Sequence, residues 1–271
     1  MARKRTVLPP LDVPDPEVVA DSLARLQSPE PVAGVPGPGR WLVVDYQPTA
    51  LFSLKVSLAT SSVGKTLVIP TPYSIKMAFV DAAFRAGLSD EDCAHLLTSL
   101  VNVDIRVAPS RRTVVTHTFV KVRQEPHGGS RPNLPYIPNI AYREVAYCHD
   151  VWRLAIDLAS GDDALAQWLV RLAPHVSYFG KRGSFVQFTG IQRLSELDLS
   201  FTQPTDRDTW QLPARHHVVP LDDFGPEASL EILSSYSEKR ASRDRHRRFV
   251  HTVVPVGVTN TGPGFSEYSA E

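Results

Sequence analysis

The chain has 271 residues, and 42% of them are hydrophobic, which suffices for a packed core in one large domain or two small ones. Lys and Arg together number 29, as do Asp and Glu, so the formal net charge is zero and the basic pI typical of nucleic-acid-binding domains is absent. Cys93 and Cys148 form no CxxC pattern and no run has the length of a membrane span, so we expect a soluble, cytoplasmic protein without a disulfide framework.

Prolines punctuate residues 1–40 and predict a proline-rich arm. Asp15-Pro16 is typical of a helix start, so one short helix is expected at Glu17–Leu26. The stretch AGVPGPGR that follows predicts a loop. The arm is either an extended linker or a segment that docks on a neighbouring subunit.

From Trp41 the composition changes, which predicts a single folded domain over residues 41–271. WLVVDYQPTALFSLKVSLAT is rich in β-branched and aromatic residues and predicts a strand or a strand pair. YSIKMAFVDAAFRAGL has apolar residues at helical spacing, with Gly87 where a C-terminal cap belongs. Ser89 is the expected N-cap of a second helix, DEDCAHLLTSLV.

Strand-like and helical segments then alternate. VDIRVA, TVVTHTFVKV and YREVAYCHDVWRLAIDLA predict strands, and residues 124–138, with their prolines and paired glycines, predict a long loop or hairpin tip. DDALAQWLVRLAPH predicts an amphipathic helix and SFVQFTGI a further strand. This order predicts an α+β fold with an antiparallel sheet, most commonly ferredoxin-like, with its core at residues 41–194. Residues 195–271 predict a partly irregular β extension with strands near HHVVPLDD and RFVHTVVPVG.

The sharpest local feature is the loop YFGKRGSF, residues 178–185. Gly180 and Gly183 let the backbone approach a bulky anion, and exposed N–H groups in such loops bind phosphate. Lys181 and Arg182 add positive charge, and the flanking aromatic residues are of a type that stacks on bases. The alternative is a tight turn whose glycines only supply positive φ.

Basic residues also cluster elsewhere. Arg111 and Arg112 lie between two predicted strands. A denser stretch comprises Lys239, Arg240, Arg243, Arg245, Arg247 and Arg248. Such a run is often a solvated surface, but it also suits the neutralisation of phosphates.

Motifs of several enzyme classes are incomplete. VGKT, residues 63–66, lacks the first glycine of a P-loop. His216 and His217, with two aspartates nearby, would suit a metal-dependent nuclease only if further ligands followed at matching spacing; His246 and His251 lie in a basic cluster instead. We therefore expect neither nucleotide hydrolysis nor a metal site.

Three segments resemble, in order and approximate spacing, the fifth CRISPR-associated (Cas) protein family. LVIPTPYSIKMAFVDAAFRAG resembles the family's proline-bearing loop and first helix, which begins with a small and a basic residue. YREVAYCHDVWRLAID resembles its Arg-Glu-Tyr-type strand, with Val145 in place of the aromatic residue. LAPHVSYFGKRGSF resembles its glycine-rich Gly-[Lys/Arg]-Arg-x-Ser/Cys loop. The likeness spans about residues 41–190 and leaves the arm and the C-terminal extension uncovered.

The resemblance implies a ferredoxin-like (RRM/RAMP) domain with a β-hairpin thumb within or near Arg123–Tyr142. It implies a non-catalytic subunit of a type I CRISPR Cascade complex that holds the 5′ handle of the crRNA. Neither a cofactor nor a membrane is expected among its ligands. The implied partners are crRNA, the Cascade backbone subunit and the large subunit, with target DNA contacted indirectly. The expected RNA-binding residues are Gly180, Lys181, Arg182, Gly183, Ser184, Lys76, Arg111, Arg112 and Arg143.

Two alternatives stay open. One branch of this family cleaves precursor crRNA without metal through a Tyr, Lys and His group, and Tyr46, His117 and Lys121 are available residues of those types. Such cleavage needs a base near the 2′-OH and a cation near the scissile phosphate. The second alternative is a small-molecule or metal enzyme built on an unrelated α+β fold.

Overall fold

The computed structural model describes residues 39–56, 65–124, 136–158, 163–207, 210–234 and 239–270. The predicted proline-rich arm and its helix therefore lie outside the described residues, apart from Gly39 and Arg40. The ordered elements are β1 Trp41–Pro48, α1 Pro72–Arg85, α2 Asp90–Leu100, β2 Ile105–Ala108, β3 Arg112–Gln124, β4 Ile137–Cys148, β5 Trp152–Asp157, α3 Asp163–Leu172 and β6 Val186–Leu194. The extension adds β7 Gln203–Pro204, β8 His217–Phe224, α4 Leu230–Leu233, β9 Arg247–Val254, β10 Val256–Gly262 and β11 Phe265–Ala270.

The first sheet has the strand order β2-β5-β1-β6, and each neighbouring pair is antiparallel. Helices α1 and α2 connect β1 to β2, and α3 connects β5 to β6. With the β3–β4 hairpin set aside, the chain order is β-α-β-β-α-β, which is the ferredoxin-like arrangement. The predicted α+β fold class is confirmed.

The β3–β4 hairpin is an insertion between β2 and β5. Its strands pair along their whole length, and β11 and β10 extend them into a second sheet of order β10-β11-β3-β4. The hairpin lies where the thumb was expected, but residues 125–135 at its tip lie outside the described residues. The single strand predicted over residues 142–158 is wrong, because the chain turns at Asp150, whose N–H donates to the Ser110 hydroxyl at 2.9 Å. This turn sends β4 and β5 into different sheets.

Local sequence signals set the helix ends, as predicted for Gly87 and Ser89. Thr71 caps α1, since its hydroxyl accepts from the Ser74 N–H at 3.2 Å while the Ser74 hydroxyl accepts from the Thr71 N–H at 2.9 Å. Gly87 follows the helix with φ of 80°, a conformation that favours glycine. The Ser89 hydroxyl accepts from the Asp92 N–H at 3.1 Å and caps α2. Of the described helices, none has the length and apolarity needed to cross a membrane.

The strand β1 is buried on both faces, and each face packs against a different layer. Leu42, Val44 and Tyr46 belong to the main core beneath the helices. Trp41 and Val43 alternate to the opposite face, as strand geometry requires, and pack against Phe201. The segment after β6 therefore covers the sheet face that carries no helices.

The C-terminal extension packs on the ferredoxin-like core. Strands β7, β9 and β8 form a third sheet. Its side chains Leu221, Phe224 and Val254 share one hydrophobic cluster with Ile75 and Phe79 of α1. The extension and α1 consequently stabilise each other through buried apolar surface.

A buried ion pair joins these same two elements. The ammonium of Lys76 on α1 is fully buried and lies 2.7 Å from Asp223 Oδ1 on β8. It also donates to the carbonyl of Val101 at 3.2 Å. Burial lowers the pKa of Lys76, and the Asp223 charge opposes that shift.

We expect Asp223→Ala to lower the free energy of unfolding by about 3–5 kcal/mol, because it leaves a buried ammonium without its counter-charge. Lys76→Met should cost less, since Asp223 keeps the Arg248 guanidinium at 3.2 Å. Urea unfolding measures both. The control is Asp81→Ala, which removes a more exposed pair with Arg85 and should cost about 0.5 kcal/mol or less. Equal losses in Asp223→Ala and Asp81→Ala would contradict the structural role of the buried pair.

Candidate nucleic-acid interface

The glycine loop, residues 178–185, is a tight turn between α3 and β6. Tyr178 and Phe185 form a bridge at its base, and the Ser184 N–H donates to the Lys181 carbonyl at 3.0 Å. Gly180 has φ of 69° and Gly183 has φ of 103°. Both values favour glycine, so the glycines have the positive φ that the tight-turn alternative requires.

Two interior side chains anchor the loop. Phe179 is fully buried, with its ring centroid 5.2 Å from that of Tyr46 in an edge-to-face contact. Ser184 is also buried, and its hydroxyl accepts from the Ser53 N–H at 3.2 Å. Phe179 therefore cannot stack on a base, contrary to the expectation for the flanking aromatic residues. Phe185 is exposed.

The tip of the loop carries its charge outward. Lys181, Arg182 and Gly183 are all exposed. A Cβ atom built on Gly183 would meet no atom within 4 Å, so the outer side of the loop is open space. A Cβ on Gly180 would lie 2.8 Å from Leu54 Cδ1, so that glycine faces the body of the protein.

Across from the loop lies the start of α1, and the two enclose an open cavity of about 810 Å³, here called the loop–helix groove. Lys181, Arg182 and Gly180 line it on one side. The other side is lined by Thr71 and Ser74 at the start of α1 and, further along the helix, by residues that include Asp81, which pairs with Arg85. No acidic residue occupies the first turn of α1. The groove thus combines an exposed cationic rim with the positive end of a helix dipole.

The C-terminal extension supplies a third part of the groove lining, through Asp222 on β8 and Arg247 on β9. The Arg247 Nε donates to Asp222 Oδ2 at 2.8 Å, and the Arg247 Cζ lies 4.6 Å from the ring centroid of Tyr73. Sequence reasoning did not single out this contribution. The only sequence feature that pointed to this part of the groove was the basic stretch that contains Arg247, because its partner Asp222 comes from a separate strand.

Lys76 does not line the loop–helix groove. It points into the interior toward Asp223, although Lys76 lies only five residues after the N-cap Thr71. The expectation that Lys76 approaches a phosphate or a base is therefore not met by this structure. The physical reason is the helical phase, which turns position 76 toward β8 while Tyr73 and Met77 line the groove.

The other predicted cations lie away from the groove lining. Arg111 pairs with Asp150 at 2.9 Å, and Arg112 pairs with Glu267 at 2.6 Å. Arg143 is half-buried on β4, opposite Thr118 in the second sheet. These three arginines belong to the region of the hairpin and do not join Lys181 and Arg182.

The residues considered for RNA cleavage divide between two sheets. Tyr46 is fully buried in the first sheet, its hydroxyl donates to the Ala173 carbonyl at 2.8 Å, and burial raises its pKa. His117 and Lys121 lie on β3 of the second sheet. The His117 Nδ1 lies 3.6 Å from Glu144 Oε1, and Lys121 is exposed. Tyr46 is therefore not available as a solvent-exposed catalytic group.

The histidines and aspartates weighed as metal ligands also have other partners. Asp222 and Asp223 pair with cations, and His217 Nδ1 lies 3.2 Å from the Val256 carbonyl. Among the described residues, no group of three or more His, Cys, Asp or Glu side chains is arranged to hold a metal ion.

These observations define a ferredoxin-like α+β protein with a cationic, glycine-containing loop at the rim of an open groove. No protein-family model and no curated protein sequence matches the chain. Solved structures similar to it include a CRISPR protein from Archaeoglobus fulgidus, with 10% identity, coverage of 85% of this chain and 92% of that chain, and a TM-score of 0.45. A chain of a CRISPR RNA-guided surveillance complex has 16% identity, coverage of 79% and 88%, and a TM-score of 0.40. At these values the likeness assigns no function to the chain.

We expect Gly180→Ala and Gly183→Ala each to lower the free energy of unfolding by about 1–2 kcal/mol, because both residues have positive φ. Gly183→Ala should cost more, since its φ of 103° lies beyond the left-handed region that other residues adopt, whereas the Cβ of Gly180→Ala meets only the end of the flexible Leu54 side chain. Thermal or urea unfolding of the two variants measures the difference. A larger loss in Gly180→Ala than in Gly183→Ala would contradict the described backbone of the loop.

Proposed function

We propose that this chain binds RNA in the loop–helix groove, as the subunit of a type I CRISPR Cascade complex that holds the 5′ handle of the crRNA. The observation that carries the proposal is the pair Lys181 and Arg182, exposed at the rim of a groove whose opposite side is the start of α1. Cations and helix N-termini both favour bound phosphate.

The proximity of two resembling segments supports this assignment. The glycine loop and the α1 segment lie about a hundred residues apart in sequence, yet both line one groove. They are also two of the three segments that resemble the fifth CRISPR-associated protein family. Residues that bind one ligand are expected to converge in this way.

The distribution of charge supports the same site. The chain has zero formal net charge, and many of its cations pair with carboxylates, as Arg245 does with Glu227 and Arg248 with Asp223. Lys181, by contrast, forms no ion pair within the described part of the chain. Local placement of charge, and not the total, determines the field that a phosphate meets.

The surfaces outside the groove would contact partner proteins. In a Cascade complex the backbone subunit and the large subunit would cover them, and target DNA would be contacted only indirectly. A protein that is largely enclosed by other subunits needs one basic face for RNA. Zero net charge is compatible with that arrangement.

We expect the double variant Lys181→Ala/Arg182→Ala to bind RNA more weakly and with less dependence on salt. Each phosphate contact on a single strand contributes about 0.7 to the slope of log K against log salt, so the slope should fall by about 1.4. Fluorescence anisotropy with labelled repeat RNA over a salt series measures it.

The matched control for that experiment is Arg240→Ala/Arg245→Ala, which removes the same charge from exposed positions outside the groove lining. Its slope should stay close to that of the wild type. An unchanged slope in the Lys181/Arg182 variant, or an equal fall in both variants, would remove the glycine loop from the RNA site.

A separate test addresses catalysis, because His117 is a residue type that acts as a general base and its Nδ1 lies 3.6 Å from Glu144 Oε1. We expect the purified protein to leave repeat RNA intact in the presence of EDTA. Specific cleavage that disappears in His117→Ala would establish the endoribonuclease alternative instead. Absence of co-purifying RNA, together with a stoichiometrically bound metal or cofactor, would favour the small-molecule or metal enzyme.

A further inference from the structure

The part of the loop–helix groove that the C-terminal extension lines is built around Arg247, and its chemistry differs from that of the glycine loop. Asp222, which is buried, accepts hydrogen bonds from the Nε and from one Nη of Arg247. The guanidinium carbon lies 4.6 Å from the centroid of the Tyr73 ring and 5.8 Å from that of Phe249. Despite these contacts, 40% of the Arg247 side chain is exposed to solvent.

These contacts fix the orientation of the guanidinium. A carboxylate in its plane sets its rotation, and an aromatic ring near its face restricts its tilt. Restraint of this kind is what a directional hydrogen bond to a ligand requires, because little side-chain freedom is then lost on binding. Lys181 has the opposite character, since it is an exposed ammonium on a flexible stem.

The glycine loop and the extension also differ in net charge within the groove. Arg247 and Asp222 together are neutral, so the pair adds little to the attraction of a polyanion. Lys181 and Arg182 together carry two positive charges at the rim. A strand in the groove would therefore gain its salt-dependent affinity from the glycine loop and only directional contacts from Arg247.

We propose that Arg247 reads a guanine base of the RNA strand that lies in the loop–helix groove. Guanine presents two acceptors, O6 and N7, on one edge, and arginine is the side chain that most commonly recognises them. In single-stranded RNA these edges are open to side chains. The inference rests on the proposed RNA-binding function and extends it to the C-terminal extension, which supplies the base contact while the core supplies the phosphate contacts.

The test uses the full-length protein and short fluorescein-labelled RNAs of one length. One strand contains only uridine, and the others carry guanine, adenine or cytosine at alternate positions. The wild type should bind the guanine strand about tenfold more tightly than the adenine strand, the discrimination expected from one arginine–guanine contact. Arg247→Lys should reduce that preference, because the ammonium lacks the planar pair of donors, and it should keep the salt slope, because the charge is retained.

A second variant distinguishes the loss of the base contact from the loss of folding. Asp222→Asn/Arg247→Gln replaces the ion pair with two neutral amides, so no buried carboxylate is left uncompensated. It too should lose the guanine preference and keep the wild-type salt slope, and urea unfolding reports whether it is folded. Retention of the guanine preference in the folded variants would overturn the inference. An equal loss of affinity on every strand, together with a lower slope of log K against log salt, would also overturn it, because that combination indicates a phosphate contact.

The same experiment separates this inference from the proposed function. If the wild type binds none of the strands, or if Lys181→Ala/Arg182→Ala leaves its salt slope unchanged, the RNA-binding groove itself is wrong. If binding depends on Lys181 and Arg182 but the wild type does not distinguish guanine from adenine, the groove is retained as the RNA site and the proposed base contact at Arg247 is wrong.

Discussion

The ion pair between Lys76 and Asp223 is the contact on which the geometry of the groove depends. It joins α1 to β8 inside the protein, where an unpaired charge would cost several kcal/mol. Asp222, the next residue along β8, pairs with Arg247 in the groove. The buried pair therefore fixes the distance between the helix that forms one side of the groove and the extension that contributes Arg247.

Aromatic rings reinforce this connection. Tyr73 packs edge-to-face on Phe224 with ring centroids 5.3 Å apart, and the Lys76 ammonium lies 5.5 Å from the Phe224 ring. Arg247 covers Tyr73 from the side of the groove. Charge and apolar packing thus act at the same junction between α1 and the extension, so a change there is expected to alter the groove as well as the stability of the fold.

The ferredoxin-like sheet of this protein does not offer the base-stacking platform that RRM domains use. In those domains exposed aromatic residues on the sheet stack on bases. Here Trp41 is buried beneath Phe201, and the guanidinium carbons of Arg40 and Arg106 each lie 5.2 Å from its ring. With that sheet face covered, the site proposed here for RNA is the loop–helix groove and not this face of the first sheet.

Local sequence alone determined much of the fold. The hydrophobic periodicity of α1, its C-terminal cap, the glycines of the 178–185 loop and the β-branched residues of β1 each depend on residues close in the chain. These signals predicted the α+β class, and for the loop they left a phosphate-binding turn and a tight turn with positive φ as alternatives. They also identified Lys181 and Arg182 as exposed cations, because two charges between glycines at a turn have no nearby apolar surface to cover them.

Tertiary structure decided which polar and aromatic residues face inward. Lys76 and Lys181 both belong to segments that border the groove, but only Lys76 meets a buried carboxylate from a distant strand and turns inside. Phe179 and Phe185 both border the glycine loop, yet only Phe179 reaches the core. Arg247 enters the groove because Asp222 and Tyr73, far from it in sequence, hold it there. Sequence periodicity reports the neighbours along the chain, whereas burial of a charge depends on a partner that only long-range packing supplies.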